Sequence, residues 1–241
     1  HIAYRGTDGT VNGWKEDFNM AYLSPVPAQQ EALKYLDSIL ALTRNYCYIG
    51  GHSKGGNLAF YAAIYSSNKS RIKQVFSHDG PGFPEKIIKS SEYQQTKSLL
   101  AKTIPESSII GMLLYNNENY TIIKSSESGI LQHDPFSWLV ENNSFIHLTK
   151  LTKSASYTNK VLKDTINNLT ENEKRKFIEA LFTVFDQANI KTLKDLSKNW
   201  YKKIPPILKS MESLNDKMKL CLWDTIKLLV VFSIKNLTEL L

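Results

Sequence analysis

Tyr46-Cys47-Tyr48-Ile49-Gly50-Gly51-His52-Ser53-Lys54-Gly55-Gly56-Asn57-Leu58-Ala59-Phe60-Tyr61-Ala62-Ala63-Ile64-Tyr65-Ser66 passes from an apolar strand-like run, through a serine set among glycines, into a helical run. Strand, tight turn and helix around Gly51-His52-Ser53-Lys54-Gly55 form the context of a nucleophile elbow. Small residues on either side let strand and helix approach while the Ser53 hydroxyl projects outward. The helix that follows offers its N-terminal amides to developing negative charge. Ser53 is therefore the candidate nucleophile, and the backbone N–H of Lys54, directly after it, the expected first oxyanion donor. A glycine-rich turn with an incidental serine is the bland alternative.

Outward from this segment, up to about residue 150, short apolar runs alternate with helical periodicity, the pattern of an α/β layer architecture. Residues 1–4 read as a strand, then Gly6, Gly9 and Gly13 mark a loop. Pro27 opens a helix whose Leu33, Leu36, Ile39 and Leu40 share an apolar face, with Tyr35 alongside. Strands are expected at 46–49, 72–76, 109–115 and 120–124, and helices at 58–65 and 93–101. That order predicts an α/β-hydrolase-like, mostly parallel sheet flanked by helices over residues 1–150. A boundary near Leu151 leads into a helical C-terminal region over 151–241. Thr170 and Glu173 make a capping-box pattern ahead of Phe177, Ile178, Leu181, Phe182 and Phe185. Further helices are expected at 193–203 and 216–237, with Pro205-Pro206 separating or kinking elements between them. The chain opens inside a strand without an initiator Met, so it is expected to be an N-terminally truncated fragment from which no targeting signal can be read.

Two groups of motifs carry a resemblance. Tyr4-Arg5-Gly6-Thr7-Asp8 with Trp14 and Asp17 looks like the R-G-T, W and D block of class 3 (fungal-type) lipases, and Gly51-His52-Ser53-Lys54-Gly55-Gly56 resembles their G-H-S-x-G-G. The chain as a whole is more similar still to a bacterial family of uncharacterised α/β-hydrolase-like proteins. It shares that family's His78-Asp79-Gly80-Pro81-Gly82-Phe83, its Ser108-Ile109-Ile110-Gly111-Met112-Leu113-Leu114, its Gln132-His133-Asp134-Pro135-Phe136-Ser137-Trp138 and its helical tail. The lipase resemblance implies that Thr7 supplies the second oxyanion contact, with Arg5 and Asp17 structural. Lipases usually carry Leu where Lys54 stands, which argues against a purely apolar substrate mouth.

A serine nucleophile needs a base within reach and an acid to orient it, in the chain order Ser, acid, His. Of the histidines after Ser53, His78 comes too early to leave room for an acid. His147, in Phe145-Ile146-His147-Leu148, reads as a partly buried structural residue. His133, in a loop after the last expected strand, is the candidate base. Asp79, held in a Gly80-Pro81-Gly82 turn, is favoured as the acid, as in pancreatic-type lipases. Class 3 lipases take the acid one strand later, which here reads Tyr115-Asn116-Asn117-Glu118 and nominates Glu118. Asp134 is expected to cap its own turn.

At 241 residues and 42% hydrophobic, the chain has the composition of a globular protein rather than a disordered one. Cys47 and Cys221 lie far apart with no ligand spacing to a histidine. This argues against a disulfide framework and a zinc site, and fits a reducing compartment, so a cytoplasmic setting is expected. The most apolar stretch, residues 228–234 between Lys227 and Lys235, is too short to span a bilayer. Residues 1–150 carry 14 Lys+Arg against 13 Asp+Glu, and residues 151–241 carry 16 against 10, so the basic excess belongs to the helical region. Its lysines read either as solvation of a helical cap or as a cationic surface held against anionic membrane lipid. Nucleic acid is not expected, because Phe177, Phe182, Phe185 and Trp200 fit apolar helical faces rather than a stacking row. Lys54 follows the serine, so this is no phosphate-binding loop of the Walker type. No metal or organic cofactor is implied. The expected activity is hydrolysis of a carboxylic ester, with a lipid ester implied by the resemblance alone; the rival from another class is a catalytically idle module binding a lipid or protein partner.

Overall fold

The computed structural model describes residues 1–8, 10–116, 119–191, 200–237 and 240. The chain divides into two units, one made of His1–Gly6, Ser24–Lys160 and Leu237–Leu241, the other of Thr7–Leu23 and Val161–Asn236.

The first unit is an α/β fold around a six-stranded sheet. Its strands are β1 (Ile2–Tyr4), β2 (Cys47–His52), β3 (Ile72–His78), β4 (Leu100–Pro105), β5 (Tyr120–Ile123) and β8 (His147–Leu148), side by side in that order. The first five are parallel, and β8 adds an antiparallel edge to β5. A separate hairpin pairs β6 (Val140–Glu141) with β7 (Ser144–Phe145). Between β1 and β2 runs α2 (Pro27–Leu42), between β2 and β3 runs α3 (Lys54–Tyr65), and the short α4 (Glu85–Ile88) and α5 (Ser91–Thr96) precede β4. Ala32, Leu36 and Leu40 of α2 and Leu58 to Ile64 of α3 share one core with Ile2, Ile49 and Val75 of the sheet. Tyr35, on the flank of α2, stays exposed.

Parallel strands buried beneath helices read as continuous apolar runs, which is why β2, β3 and β5 are legible in the sequence. Two expectations fail on one segment. The helix expected over residues 93–101 ends at Thr96, and β4 starts at Leu100. Residues 109–115 are no strand but a 3-10 turn at Ile110–Met112. Lys102, buried within β4 with its ammonium donating to the Asn116 side chain, breaks the apolar pattern that would have marked this strand. His147 is exposed on the edge strand β8, not partly buried, because one side of an edge strand faces no neighbour.

The second unit is helical: α1 (Val11–Asn19), α7 (Glu171–Gln187), α8 (Trp200–Ser213), α9 (Asp216–Lys235) and the end of α6 (Lys153–Asn167). The glycine-marked stretch expected as a loop becomes α1 from Val11, with the Thr10 hydroxyl capping the Gly13 amide. Val11 and Trp14 of α1 pack with Ile178 and Phe182 of α7, and Phe18 meets Phe182 edge-on at 5.6 Å. The Thr170–Glu173 capping box forms in both directions. Pro205-Pro206 lies inside α8 rather than between elements. The proline ring fixes φ near the helical value, so the pair loses two amide donors without leaving the helix. Most of the helix expected over 193–203, and Glu118, fall outside the described residues.

Candidate active site

Ser53 stands between the last residue of β2 and the first of α3, with φ 57° and ψ −132°. Such backbone is strained for a residue with a side chain and costs on the order of 1–3 kcal/mol, so the surroundings must impose it. They do so by close approach. A methyl group on Gly55 would come within 2.2 Å of the Tyr4 carbonyl, and one on Gly51 within 2.4 Å of the Gly55 backbone. The Ser53 amide continues the sheet ladder by donating to the His78 carbonyl at 2.8 Å. Its side chain is thereby fixed at the C-terminal ends of the strands, beside the N-terminus of α3. Lys54 is the first residue of that helix, where backbone amides carry the positive end of the helix dipole.

Asp79 follows β3 with φ 50°, and its amide donates to the Thr103 carbonyl of β4 at 2.7 Å. The carboxylate is 1% exposed and accepts on both oxygens. Oδ1 receives the Ser108 hydroxyl at 2.5 Å and the Gly111 amide at 3.1 Å, and Oδ2 receives His133 Nδ1 at 2.7 Å. The opposite ring nitrogen, His133 Nε2, lies 2.9 Å from Ser53 Oγ. With Nδ1–H engaged by the carboxylate, Nε2 presents its lone pair to the hydroxyl. Ser53, His133 and Asp79, far apart in sequence, thus form one hydrogen-bonded row, and the imidazole keeps 19% of its surface exposed.

The backbone of His133 is held as firmly as its ring. It ends a 3-10 turn, Gly129–His133, and its carbonyl accepts from His52 Nε2 at 2.7 Å. The neighbouring Gln132 is buried, its Oε1 accepting the Ser107 amide and its amide group donating to the Glu127 carbonyl, both at 2.8 Å. The Gln132 carbonyl in turn accepts the Trp138 indole N–H at 2.8 Å. Asp134 caps the next turn by accepting the Phe136 amide. Behind Asp79, Asn57 donates to the Pro81 and Gly82 carbonyls at 3.1 and 2.9 Å and accepts from Gln29 Nε2 at 2.8 Å.

Burial, then the neighbouring His133, holds His52 below the usual imidazole range, and burial does the same for His78. Both rings lie against Trp138, with centroids about 6 Å away, and stay neutral near neutral pH. His78 itself ends β3, outside the row.

Thr7 begins the second unit, where its hydroxyl donates to the Asp17 carboxylate. Gly6, directly before it, abuts the His52 carbonyl, 2.8 Å from where a Cβ would sit. The sequence pattern does not single out Ser108, Gly111, His52, Gln132 or Asn57 as site residues. Only Asn57, polar at the head of a strongly apolar helix, left a readable signal. Among the described residues, no group of three or more His, Cys, Asp or Glu side chains converges as metal ligands would.

In comparison with known proteins, the family model described as Mbeg1-like matches residues 1–183. No curated protein and no solved structure matches the chain.

Proposed function

The chain belongs to the Mbeg1-like family, and on that premise we propose that it is a lipase-like serine hydrolase that cleaves carboxylic esters. The observation that carries this reading is the row from Ser53 Oγ through the His133 imidazole to the buried Asp79 carboxylate. In the proposed reaction, Ser53 Oγ attacks the ester carbonyl carbon while His133 Nε2 takes its proton. Asp79 then faces an imidazolium, and its charge stabilises that cation without accepting the proton. The oxyanion is received by the Lys54 amide. One such donor is worth about 10²–10³ in turnover. Collapse of the tetrahedral intermediate expels the alcohol, which leaves with the proton from His133. A water molecule repeats the sequence on the acyl-serine and releases the acid.

The lipase resemblance favours a lipid ester as substrate, and a short-chain p-nitrophenyl ester is the convenient test. Wild-type protein is expected to hydrolyse it and Ser53→Ala to be inactive while remaining folded by circular dichroism. Hydrolysis by purified Ser53→Ala at the wild-type rate would overturn the assignment.

A further inference from the structure

α9 is amphipathic in an unusual sense: both of its faces are apolar, and only one is covered. Leu222, Thr225 and Phe232 are buried, Leu222 in a core with Ala180 and Val184 of α7. On the other face, Leu220 is 62% exposed, Trp223 50%, Val230 53%, Val231 55% and Ile234 65%. The spacing places these five on one side of the helix over about 20 Å, at 1.5 Å per residue, in two clusters, Leu220 with Trp223 and Val230 with Val231 and Ile234, between which Lys227 stands on the same line. Isolated exposed apolar residues are ordinary, but clusters of them aligned on one side of a helix mark a surface that meets something.

The surrounding charge narrows what that is. Lys217 and Lys235 are exposed at the margin of this side and Lys227 within it, against Asp216 and Asp224, and Lys227 pairs with Asp224 at 3.1 Å. Residues 151–241 carry 16 Lys+Arg against 10 Asp+Glu. On this side of α9 three lysines stand against two aspartates, so pairing with a second copy would set a net positive face against itself, whereas an anionic surface complements it. A helix with Trp and aliphatic residues on one side and lysines at the margin suits the headgroup boundary of a bilayer, where the apolar side sinks a few ångströms and lysines meet phosphates. No helix among the described residues is long and apolar enough to cross a membrane, so the helix would lie on it. We propose that α9 docks flat on an anionic lipid bilayer through Leu220, Trp223, Val230, Val231 and Ile234. The surface lies beyond the family-matched residues and does not depend on the hydrolase reading.

The test is co-sedimentation of the full chain with vesicles of equal phosphatidylglycerol and phosphatidylcholine, and with phosphatidylcholine alone. Binding is expected to be at least ten-fold stronger to the anionic vesicles and to weaken as salt rises, since the screening length is about 10 Å at ~0.1 M. Val231→Asp with Ile234→Asp should lower it at least ten-fold, as should Lys217→Glu, Lys227→Glu and Lys235→Glu together. Thermal unfolding and, where it is measurable, hydrolysis of a soluble ester should stay unchanged in these surface variants. Three results would overturn the proposal: no binding to anionic vesicles, binding that survives the Val231/Ile234 changes, or a solution dimer that those changes dissociate.

Discussion

Asp79 has four hydrogen-bonding capacities on its two oxygens and uses three of them, on Ser108, Gly111 and His133. A carboxylate buried to this degree is tolerable only when so paired, and the pairing fixes which oxygen faces the imidazole. Removing its charge while keeping its shape should therefore be far more damaging to turnover than to folding. Asp79→Asn is expected to lower kcat of ester hydrolysis about 10³–10⁴-fold, and Glu118→Gln to change it little. Ser108→Ala removes a bond to a charged group, worth roughly 1.5–3 kcal/mol, and should cost roughly ten-fold or more in kcat with KM nearly constant. Ser108→Thr should restore most of the loss, an outcome that a packing role for Ser108 would not produce. The reverse ranking of Asp79 and Glu118, in folded variants, would reassign the acid. At this scale Ser53 is legible as a candidate from its strand-turn-helix context and His133 from its loop, whereas chain order leaves Asp79 and Glu118 both open as the acid and only the Gly80-Pro81-Gly82 turn favours Asp79. Ser108 could not, because a short serine-rich loop carries no pattern until the fold brings it to a carboxylate.

Elements hold these residues in place through buried polar contacts as well as apolar packing. Asn57 of α3 and Gln29 of α2 are both fully buried, and Asn57 ties the two helices to the turn at Pro81 and Gly82 that follows Asp79. Asn57→Ala would take one hydrogen-bond partner each from the Gln29 amide group and from the Pro81 and Gly82 carbonyls, a loss of roughly 0.5–1.5 kcal/mol per bond. A fall in the urea midpoint with an unchanged slope is expected, together with lower turnover as the acid's turn loosens. An Asn57→Ala protein as stable as wild type would mean that water replaces these bonds. Most elements were legible because apolar periodicity is what a layered fold requires. Among the elements that escaped the pattern, which also include the short strands β6 to β8 and the 3-10 turn in place of a strand at 109–115, β4 and α1 have long-range defining contacts: a lysine buried on an asparagine side chain, and a helix stabilised by α7.

For the whole molecule, neutral histidines in the sheet make stability depend on pH. His52 and His78 are held below the usual imidazole value, so as pH falls below about 6.5 the unfolded chain binds protons before the folded one. Stability should be flat above that pH and decline on acidification until the folded-state values are passed. Thermal unfolding followed from pH 8 to pH 5 checks this, and His78→Phe should flatten the decline. The broad architecture, a mostly parallel α/β sheet with helices after it, follows from local pattern, whereas the assembly of the site depends on strand ends that only the folded sheet aligns. The most direct measurement of the central claim is labelling with a fluorophosphonate probe, mapped by peptide mass spectrometry. The expected result is one adduct per chain, on Ser53, slowed strongly in Asp79→Asn and absent in Ser53→Ala. A folded wild-type protein that neither reacts with the probe nor hydrolyses an ester, or one labelled elsewhere while Ser53 stays free, would contradict it.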